Sequence, residues 1–184
     1  MTEEISFKGP FKFVGEPCIF DAGHKVNGVY LWCVKSSDKV FRVYYVGEAE
    51  NINVRMNVHL QYQLNGKYIA HCPERLRENI KVLMHRAAEG MLHKFSHIDA
   101  GEFNRKFIQE SWIFFAELPV TGNSSDDKWL RCRFETGLAR IIEDGGQNIL
   151  TVGHLRYWKG EKSKVLINTG ESTIEYLSSV TMDI

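Results

Sequence analysis

Two tyrosines, an arginine and a histidine lie within one short stretch of the chain, at Tyr30, Tyr45, Arg55 and His59. A phenol can donate or accept a hydrogen bond, a guanidinium presents paired donors to an anion, and an imidazole can carry a proton near neutral pH. A surface holding all four could bind an anionic group and move protons beside it. The elements that carry these residues decide whether they meet.

Apolar, aromatic and β-branched runs over 29–34 and 40–46 flank the polar cluster 35–39, which predicts a β-hairpin. If Ser37 and Asp38 form a two-residue loop, Tyr30 lies directly opposite Tyr45, and both hydroxyls project from one face of the sheet. A helix predicted from the polar stretch 48–51 to about residue 64 places Arg55 and His59 one turn apart. All four side chains are therefore expected on one patch.

This order of residues resembles the GIY-YIG nuclease family, with GVY at 28–30, YVG at 45–47, the helix arginine at Arg55 and the helix histidine at His59. The resemblance implies an α+β fold, in which a small central antiparallel sheet, made of the hairpin and a third strand, is flanked by helices. N- and C-terminal extensions would surround this core. The run 111–118 is dense in aromatic and β-branched residues and is expected to be the third strand.

A metal-binding glutamate on a later helix is a further feature of the family. The segment 128–144 predicts a helix with Phe134, Leu138, Ile141 and Ile142 on a core-facing stripe and Glu135 at its edge. A carboxylate beside apolar neighbours needs a cation or a donor, because burying an unpaired charge costs several kcal/mol. The alternative is a half-exposed Glu135 paired with Arg131 or Arg140. The resemblance implies that Glu135 binds Mg²⁺ or Mn²⁺ and that Asn148 supports the site.

The resemblance also implies the role of each group. Tyr30 would position or deprotonate the attacking water, Arg55 would hold the phosphate, and His59 and Tyr45 would complete the set as proton carrier and water-orienting hydroxyl. Gly28 and Gly47 would support the two tyrosine motifs. The expected activity is that of a metal-dependent DNA endonuclease from a restriction, repair or mobile-element system, acting on double-stranded DNA.

Glu48, three residues after Tyr45, departs from the family pattern, in which this position is often small or basic. Its acid could repel the substrate phosphate, join the metal site, or mark a member with reduced activity. These interpretations remain open at the level of sequence. A nucleic-acid-binding module that keeps the fold without catalysis is therefore the alternative function, and a structural or protein-interaction domain is a third.

The 184 residues, 43% of them hydrophobic, are expected to fold as one unit. We predict an N-terminal extension over 1–27 with short strands or an ordered arm, a nuclease-like domain over 28–148 and a C-terminal extension over 149–184. An amphipathic stripe predicts a helical insertion over 73–94, beginning near Pro73.

The C-terminal extension carries a cluster of basic and aromatic residues. Such a cluster suits phosphate contact and base stacking, although a surface loop before closing strands near 165–168 and 173–179 explains it equally well. The candidate nucleic-acid contacts are Arg156, Lys159, Lys162 and Lys164.

The charge balance and the cysteines indicate which partners and which cellular compartment are expected for the protein. Lys plus Arg equals Asp plus Glu at 23 each, so a nucleic-acid site has to be a local patch. The four cysteines are widely separated, which favours free thiols in a reducing compartment. Neither a signal pattern nor an apolar run long enough to span a membrane is present, and a cytoplasmic location is expected.

Overall fold

The computed structural model describes residues 3–22, 25–68, 70–80, 83–85, 97–146, 164–177 and 181–183. The strands are β1 (Glu3–Ser6), β2 (Lys8–Phe11), β3 (Gly28–Ser37), β4 (Val40–Ala49), β5 (Ala70–His71), β6 (Leu83–His85), β7 (Ser111–Glu117), β8 (Lys164–Asn168), β9 (Thr173–Ile174) and β10 (Thr181–Asp183). The helices are α1 (Ile19–Ala22), α2 (Ile52–Leu64), α3 (Pro73–Arg77), α4 (His97–Glu110) and α5 (Ser124–Asp144).

A five-stranded sheet organises the molecule, in the order β2-β7-β3-β4-β9. All its pairings are antiparallel except that of β4 with β9, which is parallel. The hairpin β3–β4 and the third strand β7 beside it are as predicted from the sequence. The fold is thus α+β, with an antiparallel-rich sheet flanked by helices.

The central strand β3 is buried on both faces, which explains its nearly continuous apolar sequence. Val29, Leu31 and Cys33 point to one side, and Tyr30 and Trp32 point to the other. Side chains of a strand alternate between its two faces, so alternate residues of β3 enter two separate hydrophobic clusters.

Helix α5 packs on the first face, and β10 of a second, three-stranded sheet in the order β1-β8-β10 contacts the same helix. Phe134, Leu138 and Ile142 of the helix belong to one cluster with Ile5 of β1 and Ile167 of β8. The predicted core stripe of this helix is confirmed, with Ile141 only partly buried. The two terminal segments therefore contribute to the core that holds α5.

The second face packs against α2 and α4. Ile52 and Met56 of α2 and Phe107 and Ile108 of α4 are buried with the β3 side chains of this face. Gln63 near the end of α2 donates a hydrogen bond to Asn104 of α4 over 2.8 Å. This polar contact fixes one helix against the other inside the core.

The helix predicted over 73–94 is wrong in its described part. It ends after Arg77, and residues 83–85 form strand β6, which pairs with β5. Asn79 has a φ of 61°, and Ile80 N–H bonds the carbonyl of Arg75 while Asn79 N–H bonds that of Leu76. This bonding is a Schellman motif, which terminates a helix and which apolar periodicity does not detect. Residues 81–82 and 86–94 lie outside the described residues.

Helix α4 was not predicted from the sequence. It occupies 97–110 between the short strands and β7. Within the described residues, no helix is both long and apolar enough to cross a membrane.

Candidate functional site

The hairpin brings Tyr30 and Tyr45 to one face in a register that differs from the predicted one. Tyr30 lies opposite Gly47, and Tyr45 lies opposite Trp32. The predicted direct pairing is wrong because the loop is one residue later than expected: Ser37 pairs with Val40. That change shifts the register by two residues, which keeps both tyrosines on the same face. Their ring centroids lie 6.0 Å apart.

A β-bulge at Tyr44 shapes this part of β4. Trp32 pairs with Tyr45 and the next residue, Cys33, pairs with Val43, so Tyr44 is the extra residue. As a result, the consecutive residues Tyr44 and Tyr45 both contact the Trp32 ring on the same side of the sheet. Tyr44 is buried and bonded to Ser111, whereas Tyr45 is only partly buried.

Helix α2 begins at Ile52, where the Asn51 side chain accepts a hydrogen bond from Val54 N–H and caps the first turn. Its inner face carries Arg55 and His59 to the tyrosines. The Tyr30 hydroxyl lies 2.6 Å from His59 Nε2, and Arg55 Nε donates to the same hydroxyl over 3.4 Å. The predicted convergence of the hairpin and the helix is thus present.

Burial sets the protonation of this pair. It lowers the pKa of His59 to about 3, with the Arg55 charge adding to the effect, so the imidazole is neutral at pH 7. Burial and the neighbouring Tyr45 raise the pKa of Tyr30 well above its ordinary value, although Arg55 opposes the shift. Tyr30 therefore keeps its proton and accepts a hydrogen bond from Arg55, and it donates to His59 Nε2 in the tautomer that carries the imidazole proton on Nδ1. His59 Nδ1 is buried and has no hydrogen-bond partner within the described part of the chain.

The two motif glycines are explained by close approach. A Cβ on Gly47 would overlap the Tyr30 hydroxyl and the ring carbon that bears it, and one on Gly28 would overlap the Ala116 carbonyl of β7. Gly47 therefore makes room for the hydroxyl that bonds His59. Gly28 allows β3 and β7 to pair at their ends.

Glu135 projects from α5 and is half-buried. The alternative pairing with Arg131 or Arg140 is wrong: within the described residues neither forms an ion pair with Glu135. Burial, followed by the charge of Glu48, raises the pKa of Glu135 to about 7, and Arg55 partly offsets the increase. Glu135 is thus close enough to Arg55 and to Glu48 for both charges to act on it.

Glu48 is held by a buried arginine. Arg131 Nε lies 2.7 Å from a Glu48 carboxylate oxygen, and Arg131 also donates to the Asn27 side chain. Asn27 in turn donates to the Leu118 carbonyl at the end of β7 over 3.2 Å. Arg131 is only 5% exposed. The network connects α5 to the end of β4, to the residue before β3 and to the residue after β7.

The carboxylates suit a hard divalent cation. Mg²⁺ is commonly held by one or two carboxylates, with waters and substrate phosphate completing its shell. Glu135 has a raised pKa and lacks a described cation partner, and Glu48 acts on it from nearby, so a cation there would relieve the repulsion. The described residues contain no group of three or more His, Cys, Asp or Glu that could form an all-protein metal cage.

Tyr68 is a site residue that the sequence analysis missed. Gly66 has a φ of 67°, its N–H bonds the Gln63 carbonyl, and Lys67 N–H bonds the Tyr62 carbonyl, which forms a Schellman motif at the end of α2. The chain therefore turns back along the helix, and the Tyr68 ring lies 5.4 Å from that of His59. Asn65-Gly66 after a helical stretch is the sequence signal that could have indicated this reversal.

Four candidate residues lie outside the described residues: Asn148, Arg156, Lys159 and Lys162. Lys164 is described as the exposed first residue of β8, in the three-stranded sheet. The closing strands expected near 165–168 and 173–179 are present as β8 and the shorter β9. All four cysteines are free, and Cys33 is buried, as expected.

Comparisons of the chain with protein-family models, with curated proteins and with solved structures gave no match.

Proposed function

We propose that this protein is a metal-dependent DNA endonuclease with a site of the GIY-YIG type. The observation that supports it most strongly is the hydrogen-bonded series Arg55, Tyr30 and His59, with Glu135 within the electrostatic reach of Arg55. These residues come from three separate elements, and the two hydrogen bonds join side chains 25 and 29 residues apart in sequence.

The hydrogen bonds among these side chains support a specific proton path. Neutral His59 can accept the Tyr30 proton at Nε2 while the Tyr30 oxygen accepts one from a water. The water oxygen then forms a bond to phosphorus, and the leaving oxygen takes up a proton from solvent water as its bond to phosphorus breaks. Arg55 would hold the phosphate oxygens, because its guanidinium offers paired donors.

Glu135, ionised, would hold the Mg²⁺ or Mn²⁺, with Glu48 close by. When bound, such an ion supplies positive charge that stabilises the phosphate and the leaving oxygen. Asn148 keeps its proposed supporting role, and Tyr45 would orient the water. Basic residues at Arg156, Lys159, Lys162 and Lys164 remain the proposed contacts to double-stranded DNA.

Incubation of plasmid DNA with the protein tests this function, with Mg²⁺, with Mn²⁺ and with chelator. We expect metal-dependent nicking or linearisation that falls by a factor of about 10²–10⁴ in Tyr30→Phe, which removes the proton-carrying oxygen but keeps the ring. Glu135→Gln should have a comparable effect. Cleavage that persists at the wild-type rate in both variants would contradict the proposed site.

A non-catalytic nucleic-acid-binding module is the second candidate, because Tyr30 is fully buried and its pKa is raised. This candidate predicts salt-dependent DNA binding without cleavage in any divalent metal. Plasmid left intact across several DNA sequences, with binding retained, would favour it over the nuclease.

A further inference from the structure

A row of aromatic rings leads from the proposed site to the surface. The centroid of Tyr30 lies 5.6 Å from that of His59, which lies 5.4 Å from Tyr68, and Tyr68 lies 5.4 Å from Tyr62. Exposure increases along the row, from 0% at Tyr30 and 2% at His59 to 37% at Tyr62. The outer end of the row is therefore accessible to a ligand, and the inner end is the proposed catalytic pair.

Positive charge accompanies the row at both ends. Lys67 is exposed, and its Nζ lies 4.6 Å from the centre of the Tyr62 ring. Arg55 interacts electrostatically with Tyr68 as well as with Tyr30 and Tyr45. Tyr68 thus neighbours the ring that carries the surface ammonium and lies within electrostatic reach of the guanidinium proposed to hold the scissile phosphate.

The position of Tyr68 is fixed by the backbone. Its N–H bonds the Tyr62 carbonyl over 3.3 Å, next to the bond that Lys67 makes to the same oxygen. Buried Gln63, bonded to Asn104, anchors the end of the helix from which this loop departs. A ring held this way loses little further conformational freedom on binding, which favours stacking.

Partly exposed aromatic rings flanked by cations match the chemistry of a nucleotide. Each base has a π-face that can stack on a tyrosine, and its phosphate is attracted to Lys or Arg. In an intact duplex both faces of a base are covered by its neighbours. A base that stacks on a side chain must therefore be unstacked, either in a single strand or turned out of a duplex.

We propose that Tyr68, with Tyr62 and Lys67 beside it, stacks an unstacked DNA base next to the phosphate that Arg55 holds. This rests on the proposed function only in placing the phosphate at Arg55. It adds a substrate class: DNA in which a base near the scissile bond is single-stranded or displaced from its helix.

Binding is measured with the full chain carrying Glu135→Gln, in chelator, so that no cleavage intervenes. The probes are a fluorescent single-stranded DNA, the fully paired duplex of the same sequence, and that duplex with one bulged nucleotide. Tyr68→Leu removes the ring and Tyr68→Phe keeps it as the matched control, while thermal unfolding verifies that both variants fold.

We expect Tyr68→Leu to weaken binding of the single strand or of the bulged duplex by about 5-fold to 150-fold, the range for one stacked base. Tyr68→Phe should stay within about 2-fold, below the loss of a single stacked base, and the paired duplex should not respond to either change. The arm that responds identifies whether the base comes from a single strand or from a bulged duplex. Equal binding by Tyr68→Leu and Tyr68→Phe, equal weakening on all three probes, or no binding to any probe overturns the proposal.

Plasmid cleavage by the unmodified protein tests the nuclease separately. Intact plasmid together with Tyr68-dependent binding would overturn the nuclease and leave the stacking site. Cleavage together with binding that does not depend on Tyr68 would overturn the stacking site and leave the nuclease.

Discussion

Glu48 is the residue at which the chain departs from the nuclease pattern, and the structure pairs its carboxylate with Arg131. Because Arg131 is buried, much of the negative charge of Glu48 is compensated before a phosphate approaches. The remaining field still acts on Glu135 and raises its pKa. This favours a role for Glu48 in holding α5 and shaping the acidic part of the site over simple repulsion of the substrate.

The Glu48–Arg131 pair should be important for stability. Glu48→Gln leaves a buried guanidinium without its counter-charge, and we expect the free energy of unfolding to fall by about 3–5 kcal/mol, the range for breaking a buried pair. Arg131→Met should cost a similar amount, and the double variant should cost less than the sum of the two, as measured by urea unfolding.

The pair Arg75–Glu78 provides a matched control, since its side chains are 47% and 55% exposed. Arg75→Met should change the free energy of unfolding by less than about 1 kcal/mol. Equal losses at the exposed and the buried pair would contradict the role assigned to Arg131.

Two site residues should give opposite dependences of stability on pH. The pKa of His59 falls to about 3 on folding, so the unfolded chain binds more protons below about pH 6.5 and stability decreases as the pH falls. The pKa of Glu135 rises to about 7, so the folded chain binds more protons and stability decreases as the pH rises from about 4.5 to 7.

Removing one of the two titrating groups should therefore leave the pH dependence of stability that the other group causes. Glu135→Gln should make the rise of stability between pH 4.5 and 6.5 steeper, and His59→Gln should make it shallower or reverse it. The change approaches at most about 1.4 kcal/mol per pH unit and is smaller for Glu135, which solvent partly screens. Urea unfolding at several pH values measures both slopes, and identical slopes in the two variants would contradict the assigned protonation states.

At the scale of the elements, the sequence predicted those whose signals are local. The hairpin, α2, β7 and most of α5 follow from apolar periodicity and polar turn residues, although α5 begins at Ser124 and not at the predicted residue 128. Two features of the fold depend on a single residue with positive φ, where the chain reverses direction. Asn79 ends α3, although the apolar spacing predicted that the helix continues. Gly66 ends α2 and directs the chain back, so that Tyr68 lies beside the site. The Asn123 side chain caps α5 by accepting from Ser125 N–H, and Asp127 accepts from Thr121 N–H.

The site itself was predictable in part. Two local rules bring together Tyr30, Tyr45, Arg55 and His59. Side chains alternate between the faces of a strand, and residues four apart lie on one side of a helix. The Arg131–Glu48 contact joins residues 83 positions apart, and local patterns carry no information about which arginine a glutamate meets at that separation. Tertiary packing of α5 decides it.

The close packing of β4 on β3 makes Gly47→Ala a test of the hairpin. An added methyl group would displace the Tyr30 hydroxyl, and we expect the free energy of unfolding to fall by about 1–3 kcal/mol, as for overpacking. Cleavage should fall with it, because the Tyr30–His59 bond would be lost.

Gly101→Ala is the matched control, since nothing lies within 4 Å of the added methyl in α4. In a helix this change should be neutral or stabilising by up to about 1 kcal/mol. A Gly47→Ala variant as stable and as active as Gly101→Ala would refute the steric role of Gly47.

At the scale of the whole molecule, strands far apart in sequence pair with each other. Strand β1 pairs in parallel with β8, and buried residues of their sheet share one core cluster with α5. Arg42 of β4 also bonds Glu175 in the C-terminal segment, which fastens that segment to the hairpin. The terminal segments therefore support the helix that carries Glu135.

Ile167→Ala should test this support. Ile167 is 1% exposed, and its truncation should cost about 2–5 kcal/mol of unfolding free energy through lost burial and a cavity. Its neighbour Leu166, 38% exposed, is the control, and Leu166→Ala should cost clearly less. Similar losses at both positions, measured by urea unfolding, would show that Ile167 does not belong to the core shared with α5.

The bulges of the hairpin have a consequence for how such a site can evolve. One extra residue in β4, Tyr44, is balanced by one in β3, Ser36, between the pairs Lys35–Phe41 and Ser37–Val40. Beyond both bulges, the residues pair across the two strands as they would in a hairpin without bulges, and Tyr30 lies opposite Gly47. The hairpin can therefore hold one extra residue in each strand while Tyr30 and Tyr45 stay on one face. The shared face of the two tyrosines, rather than the number of residues between them, is what selection on this site has to preserve.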